Sequence, residues 1–136
     1  MTKQQNTKED RVLIAVYGTL RKELGNHSII AKAVYLGNFS SYAGFTMYDI
    51  GAFPALVNNG CTSIEFEVYA VNKDEAEAVD RLEGFNGPKS YNHYEKGIIS
   101  TPYGKAYYYY YKRAPENTAI VLSGDWKDHA GTKMVA

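Results

Sequence analysis

The chain has 136 residues, which is the length of one ordinary domain, and 45% of them are apolar, which is enough for a hydrophobic core. Its 15 basic and 15 acidic residues balance, so the chain has no net charge that would draw it to nucleic acid or to an anionic membrane. A single cysteine excludes an internal disulfide framework, and no apolar run approaches the roughly 20 residues that span a bilayer, so we expect a cytoplasmic protein without nucleic-acid or membrane partners.

The first predicted element is a buried strand that follows a polar segment. We interpret residues 1–10 as a disordered leader, because they are polar and charged. The apolar run at residues 12–17 is typical of a strand buried on both faces, and Gly18 ends it. Asn26 is then a candidate cap for a short helix at about residues 27–33.

Short strands are predicted next, separated by glycine, proline and asparagine. The candidates cover residues 34–39, 44–48, 55–57 and 64–71. The clearest helix begins after them, because Asn72 and Glu75 have the spacing of a capping box and Gly84 is the expected terminator.

A hairpin is predicted in the last third of the chain. Its strands are residues 94–100 and 105–112, and the turn Thr101-Pro102-Tyr103-Gly104 lies between them. Short strands with one or two helices indicate an α+β domain whose strands form a mixed sheet or a small β-barrel. We place this domain at residues 11–128 and treat residues 129–136 as a polar tail.

Glu83 is the first candidate for chemistry. It lies four residues after Val79, so the two share the apolar helix face, and it falls near the helix C-terminus, where the dipole disfavours a negative charge. Both features would raise the pKa of the carboxyl group and suit it to proton transfer near neutral pH. The alternative is a glutamate at a frayed helix end that points to water.

The turn Tyr17-Gly18-Thr19-Leu20 is the second candidate, because it follows the buried strand directly. Glycine lets backbone N–H groups approach a ligand, and consecutive amides can hold a carboxylate or carbonyl oxygen. The alternative is an ordinary turn.

Other chemistries lack support in the sequence. His27, His93 and His129 are far apart and do not form a metal-binding pattern, and neither a phosphate-binding loop nor a nucleophile motif is present, so we expect no cofactor. Five consecutive tyrosines, Tyr107 to Tyr111, would alternate between two faces of a strand. One set could border a pocket or stack on RNA, although the charge balance argues against RNA.

These motifs together resemble the gamma-glutamylcyclotransferase-like family, in particular its small bacterial and plant branch and the gamma-glutamylamine cyclotransferases. The similar segments are residues 16–21, 25–27, 44–48, 53–57, 67–69, 82–85, 94–96, 101–104 and 123–126. Their joint order and spacing, rather than any one of them, carry the resemblance.

The resemblance implies a small β-barrel with flanking helices and a pocket at one end. In that pocket the amides of residues 17–20 would bind a small gamma-glutamyl substrate, Glu83 would be the general acid and base, and Tyr94 would border the site. The family converts gamma-glutamyl amines or amino acids to 5-oxoproline and releases the amine. The sequence has Lys96 where the family often has arginine, with Glu95 beside it, so a catalytically silent binding module of the same fold is the alternative.

Overall fold

A computed structural model describes residues 11–87 and 93–135. Within these ranges the chain forms, in order, β1 (Val12–Val16), a 3-10 helix (His27–Ile30), β2 (Val34–Ser40), β3 (Phe45–Asp49), β4 (Pro54–Thr62), β5 (Glu65–Val71), α1 (Lys73–Leu82), β6 (Glu95–Thr101), β7 (Gly104–Tyr110), β8 (Ala119–Ile120) and α2 (Trp126–Val135). The predicted leader, residues 1–10, lies outside the described residues.

The larger sheet has five strands in the order β2-β5-β1-β7-β6. β1 pairs antiparallel with β5 and parallel with β7, so it occupies the centre of the sheet. Its residues Ile14, Ala15 and Val16 are buried, which confirms the predicted strand covered on both faces.

The smaller sheet has three strands in the order β4-β3-β8. It meets the larger sheet where the Tyr111 N–H donates to the Leu56 carbonyl at 2.8 Å, beside an isolated bridge between Val57 and Tyr111. The α+β class is therefore confirmed, but the predicted barrel is not, because the described strands form two open sheets rather than one closed one.

Two apolar clusters cover the two faces of the larger sheet. The cluster between the sheets contains Phe45, Leu56, Phe66 and Trp126. The other contains Ile14, Ile30 and Val79 and lies under α1 and the 3-10 helix. Alternate residues of β1 enter different clusters, as the period of a strand requires.

Helix α1 has the predicted cap at each end. Asn72 and Glu75 form a capping box, with both bonds at 2.8 Å. Gly84 terminates the helix at φ +68°, while its N–H donates to the Arg81 carbonyl and the Phe85 N–H donates to the Asp80 carbonyl. The helix ends at Leu82, so Glu83 occupies the C-cap position rather than the last turn.

The hairpin of β6 and β7 is confirmed, with Thr101 paired to Gly104 across the turn. The tyrosines of β7 divide between the faces as predicted: Tyr108 enters the cluster between the sheets, and Tyr109 enters the cluster under α1.

Three elements differ from the prediction. The Asn26 side chain does not cap the helix that follows, which is only a short 3-10 helix. Strand β8 was not predicted, and α2 runs across residue 128, where we had placed the boundary of a polar tail. Burial of Trp126 and a polar contact of 2.8 Å between His129 Nε2 and Asp49 Oδ2 hold α2 against the smaller sheet, and local sequence patterns do not reveal these tertiary contacts. Within the described chain, no helix combines the length and apolarity needed to cross a membrane.

Candidate active site

A cavity of about 200 Å³ lies where β1 ends, next to the end of α1. All six residues singled out from the sequence line it: Tyr17, Gly18, Thr19, Leu20, Glu83 and Tyr94. The rest of the wall is formed by Ala15, Val16, Asn26, Phe53, Pro54, Leu82, His93 and Tyr109. The chain thus brings one carboxyl group and the glycine-containing turn into a single enclosure.

The turn after β1 is closed by its own backbone. The Arg21 N–H donates to the Gly18 carbonyl at 3.0 Å, and the Asn26 N–H donates to the Thr19 carbonyl at 2.9 Å. Within residues 11–87 and 93–135, the N–H groups of Gly18, Thr19 and Leu20 donate to no backbone carbonyl. Because all three residues also line the cavity, their amides are candidates for binding a ligand there.

Buried charges fix the far side of this turn. The Arg21 guanidinium donates to Glu67 at 3.1 Å and to Asp125 at 2.8 Å, and only 4% of Arg21 is exposed. Glu67 also accepts from the Lys22 N–H at 2.9 Å and from the Tyr69 hydroxyl at 2.9 Å. Every charge in this group has a partner, so the network holds the turn rigidly behind the cavity.

Gly18 has a packing role as well. A Cβ atom at this position would lie 3.0 Å from the Pro54 ring, closer than most real contacts allow. Glycine therefore permits the close approach of β4 that forms one cavity wall.

The cavity raises the pKa of Glu83 to about 7, because burial disfavours the ionised carboxyl group. The direction is the one expected from the sequence, and burial is the cause. Among the described residues, no side chain forms a hydrogen bond with this carboxyl group. The group can therefore gain or lose a proton near neutral pH.

Buried tyrosines enclose the carboxyl group. The Tyr17 hydroxyl donates to the Tyr109 carbonyl at 2.6 Å, and the Tyr94 hydroxyl donates to the Pro54 carbonyl at 2.6 Å. Burial, followed by neighbouring tyrosines and Glu83, raises the pKa of Tyr17 far above its usual value, and burial and then Glu83 raise the pKa of Tyr94. Both phenols keep their protons and serve as walls rather than acids.

Eight lining residues were not assigned to the site from the sequence. They are Ala15, Val16, Asn26, Phe53, Pro54, Leu82, His93 and Tyr109. The sequence predicts Asn26 as a helix cap, whereas its side-chain amide donates to the Thr19 hydroxyl at 2.7 Å and stabilises the turn. A signal was present for five of these residues, since they fall in segments that carry the family resemblance: Val16, Asn26, Phe53, Pro54 and Leu82.

The two residues that depart from the family pattern do not line the cavity. Lys96 Nζ pairs with Asp80 Oδ1 at 3.1 Å, and Glu95 lies 3.7 Å from Lys112 Nζ. Across the described ranges, no three metal-binding side chains come together. The site therefore combines one carboxyl group that titrates near neutral pH with a set of unbonded amides, an arrangement suited to acid–base chemistry on a carbonyl compound.

Comparison with known proteins agrees with this geometry. Residues 14–128 match the family described as gamma-glutamyl cyclotransferase, AIG2-like. A Vibrio cholerae relative is 36% identical over 114 residues, which cover 84% of this chain and 94% of the relative. The gamma-glutamylcyclotransferase family protein YtfP of Escherichia coli K12 is 34% identical over 115 residues, which cover 85% of this chain and 96% of YtfP.

A solved structure shares the fold over most of its length. Protein PH0828 from Pyrococcus horikoshii superposes with a TM-score of 0.74 at 29% identity, covering 91% of this chain and 97% of that one. Because the family match extends over most of the chain and the relatives are covered almost end to end, the chain belongs to the gamma-glutamyl cyclotransferase, AIG2-like family of enzymes.

Proposed function

We propose that the protein converts a gamma-glutamyl amine or amino acid to 5-oxoproline and releases the free amine, with Glu83 as the general acid and base. The observation that carries this proposal is the position of Glu83, which shares one cavity with the three unbonded amides of residues 18–20. Family membership supports cyclotransferase activity in general.

The reaction needs a base because the α-ammonium group of the substrate is protonated at neutral pH and cannot attack. In its ionised form, the Glu83 carboxylate takes one proton from this ammonium. The freed amine nitrogen then attacks the γ-carbonyl carbon of the same molecule, and the new C–N bond closes a five-membered ring. The step is intramolecular, and holding the substrate in a folded conformation lowers its entropic barrier.

Attack places negative charge on the former carbonyl oxygen. The amides of Gly18, Thr19 and Leu20 would donate to this oxygen, since all three residues line the cavity, and donors prepared in advance stabilise such charge without reorganisation. When the old C–N bond breaks, protonated Glu83 returns its proton to the departing amine, and the ring nitrogen gives up its second proton, so that the amine leaves in its ammonium form. A pKa of about 7 suits both steps, since neither protonation state is rare near neutral pH.

The test is to incubate the protein with a panel of gamma-glutamyl amines and amino acids and to quantify 5-oxoproline. Glu83→Gln preserves the shape of the side chain but removes the base, so we expect kcat to fall by about 10² to 10⁴-fold. Glu77→Gln is the matched control, because Glu77 lies on the exposed face of the same helix. If the Glu83→Gln variant is folded and keeps full activity, Glu83 does not have the assigned role.

The same panel separates the enzyme from the silent binding module. Saturable binding of a gamma-glutamyl compound without 5-oxoproline after long incubation would favour the module. Nothing in the cavity favours it, because Glu95 and Lys96 lie outside the lining. The absence of nucleic-acid partners and the cytoplasmic location remain predictions.

A further inference from the structure

An ion pair involves the helix that ends at the proposed base. Asp80 is on α1, three residues before Glu83, and residues at this spacing lie on one helix face with about 5–6 Å between their Cβ atoms. Lys96, on β6, approaches Asp80 to 3.1 Å, and both side chains are largely buried, with 18% of Lys96 and 26% of Asp80 exposed. Burial keeps the pair from being screened as a surface pair would be.

Asp80 is also bonded to the cavity wall. It accepts a hydrogen bond from the hydroxyl group of Tyr109, which is buried and lines the cavity. The carbonyl group of Tyr109 in turn accepts from the Tyr17 hydroxyl at 2.6 Å. A continuous series of bonds therefore connects Lys96 to the strand exit that carries the free amides.

Aromatic rings fix the position of the lysine. Lys96 Nζ lies 4.5 Å from the ring centre of Tyr107, 5.6 Å from that of Phe85 and 5.9 Å from that of Tyr109. Cation–π contacts at these distances favour the charged ammonium group at this place. The positive charge is thus held next to Asp80 rather than moving on a free side chain.

Several other titratable groups face Glu83 from the surrounding elements. They are Tyr17 after β1, His93 and Tyr94 before β6, and Tyr109 and Tyr111 at the end of β7. Burial is the largest cause that raises the pKa of each of these tyrosines, so they stay neutral at pH 7. Among the described residues, Asp80 and Lys96 form a pair of opposite charges on and against the helix that ends at the proposed base.

We infer that Asp80 and Lys96 are positioning residues for Glu83: Asp80 joins the end of α1 to the cavity wall through Tyr109, and Lys96 balances the Asp80 charge so that Glu83 can ionise. This inference rests on the proposed role of Glu83. It assigns a role in this site to Lys96, the residue at which the chain departs from the family pattern.

The two charges predict opposite effects when each is removed. In Lys96→Met the Asp80 carboxylate is left without its partner, and its repulsion raises the pKa of Glu83. In Asp80→Asn the lysine charge remains, Tyr109 keeps an acceptor, and the pKa of Glu83 falls. We expect each midpoint to move by about 0.5 pH units or more. Lys96→Arg keeps the positive charge, so its Glu83 midpoint should equal that of the wild type.

The experiment is an NMR titration of protein labelled with ¹³C at the glutamate carboxyl carbons. The Glu83 resonance is identified by its loss in Glu83→Gln, and its midpoint is compared in wild type and in the three variants. Lys112→Met is the control, because it removes a more exposed lysine that pairs with Glu95 on the same hairpin. Opposite shifts support the inference, whereas shifts of the same sign, or none beyond the control, overturn it.

The pH dependence of kcat/KM provides the second readout, since its acidic limb should move with the NMR midpoint. A merely structural role would lower activity in both variants without opposite movements of this limb. Opposite NMR shifts in a protein that forms no 5-oxoproline would contradict the proposed function and leave the inference standing. Product formation with unshifted midpoints would contradict the inference alone.

Discussion

At the residue scale, the raised pKa of Glu83 couples protonation to folding. In the unfolded chain the carboxyl group returns to its ordinary pKa near 4.5, whereas in the folded protein it titrates at about 7. Between these values the folded state holds a proton that the unfolded state has lost. The contribution of Glu83 to stability is therefore complete below the unfolded pKa and is lost as the pH rises through the folded one.

We therefore expect Glu83→Gln to change the slope of stability against pH. For the wild type, this group makes the free energy of unfolding fall with rising pH between about 4.5 and 7, at up to about 1.4 kcal/mol per pH unit. Glutamine cannot ionise, so the variant should lack this term. Urea unfolding of both proteins at half-unit pH steps measures the difference. If the free energies of unfolding of the two proteins vary with pH in parallel, burial does not raise the pKa of Glu83.

The sequence pointed to Glu83 for a partly different reason from the one in the structure. Its spacing from Val79 indicated an apolar face, and the cavity does shelter it. The helix ends at Leu82, one residue earlier than predicted, because Glu83 is the C-cap residue that precedes Gly84. His93 could not be assigned from sequence, and Tyr109 was indicated only as a member of one tyrosine face that could border a pocket. The place of both residues in the wall depends on how β7 and the segment before β6 meet α1.

At the element scale, the C-terminal cap of α1 decides where the carboxyl group points. Gly84 adopts φ +68°, and two backbone bonds close the cap around Glu83. A Cβ atom on Gly84 would lie 2.8 Å from the Cβ atom of His93, another cavity residue. The cap and the cavity wall are thus in direct contact.

Gly84→Ala should destabilise the protein by about 1–2 kcal/mol from the left-handed backbone alone, with a further cost from the contact with His93. Activity should fall as well, because relief of the contact moves Glu83 or His93. Gly131→Ala is the control: a Cβ atom there meets no heavy atom within 4 Å, and alanine favours a helix. Urea unfolding measures both variants, and equal stability of the two would show that the cap does not hold Glu83.

Sequence patterns correctly predicted the features that depend on residues close together in the chain. The capping box of α1, its glycine terminator and the turn of the β6–β7 hairpin all depend on residues within a few positions of one another. Strand β8 has two residues, and α2 is held by Trp126 against distant strands, so neither has a comparable local signal. The barrel inference was not confirmed because the number of strands in a sheet does not fix its closure.

At the scale of the whole molecule, one apolar cluster joins the two sheets. Phe45 and Leu56 from the smaller sheet meet Phe66 from the larger one, and Trp126 of α2 is buried among them. If the sheets separated, the apolar side chains of this cluster would be exposed to water on both of them. We expect the two sheets to unfold in one cooperative transition.

Trp126→Ala tests this expectation. Removal of a ring that is only 3% exposed should cost about 3–5 kcal/mol and should lower the stability of both sheets together. Leu122→Ala is the control, because 82% of Leu122 is exposed, and its effect should stay within about 0.5 kcal/mol. Hydrogen exchange of amides in β3 and β5 follows the two sheets separately, and loss of protection in β3 alone would contradict a single cooperative unit.

The ion pair between Arg21 and Asp125 spans 104 positions of the chain. On the ribosome, the turn that holds the free amides is made early, but one of its two acidic anchors emerges only after residue 125 has been synthesised. A nascent chain shorter than this has the amides without their full support. The turn therefore gains its full ionic support only after the chain has been synthesised past residue 125.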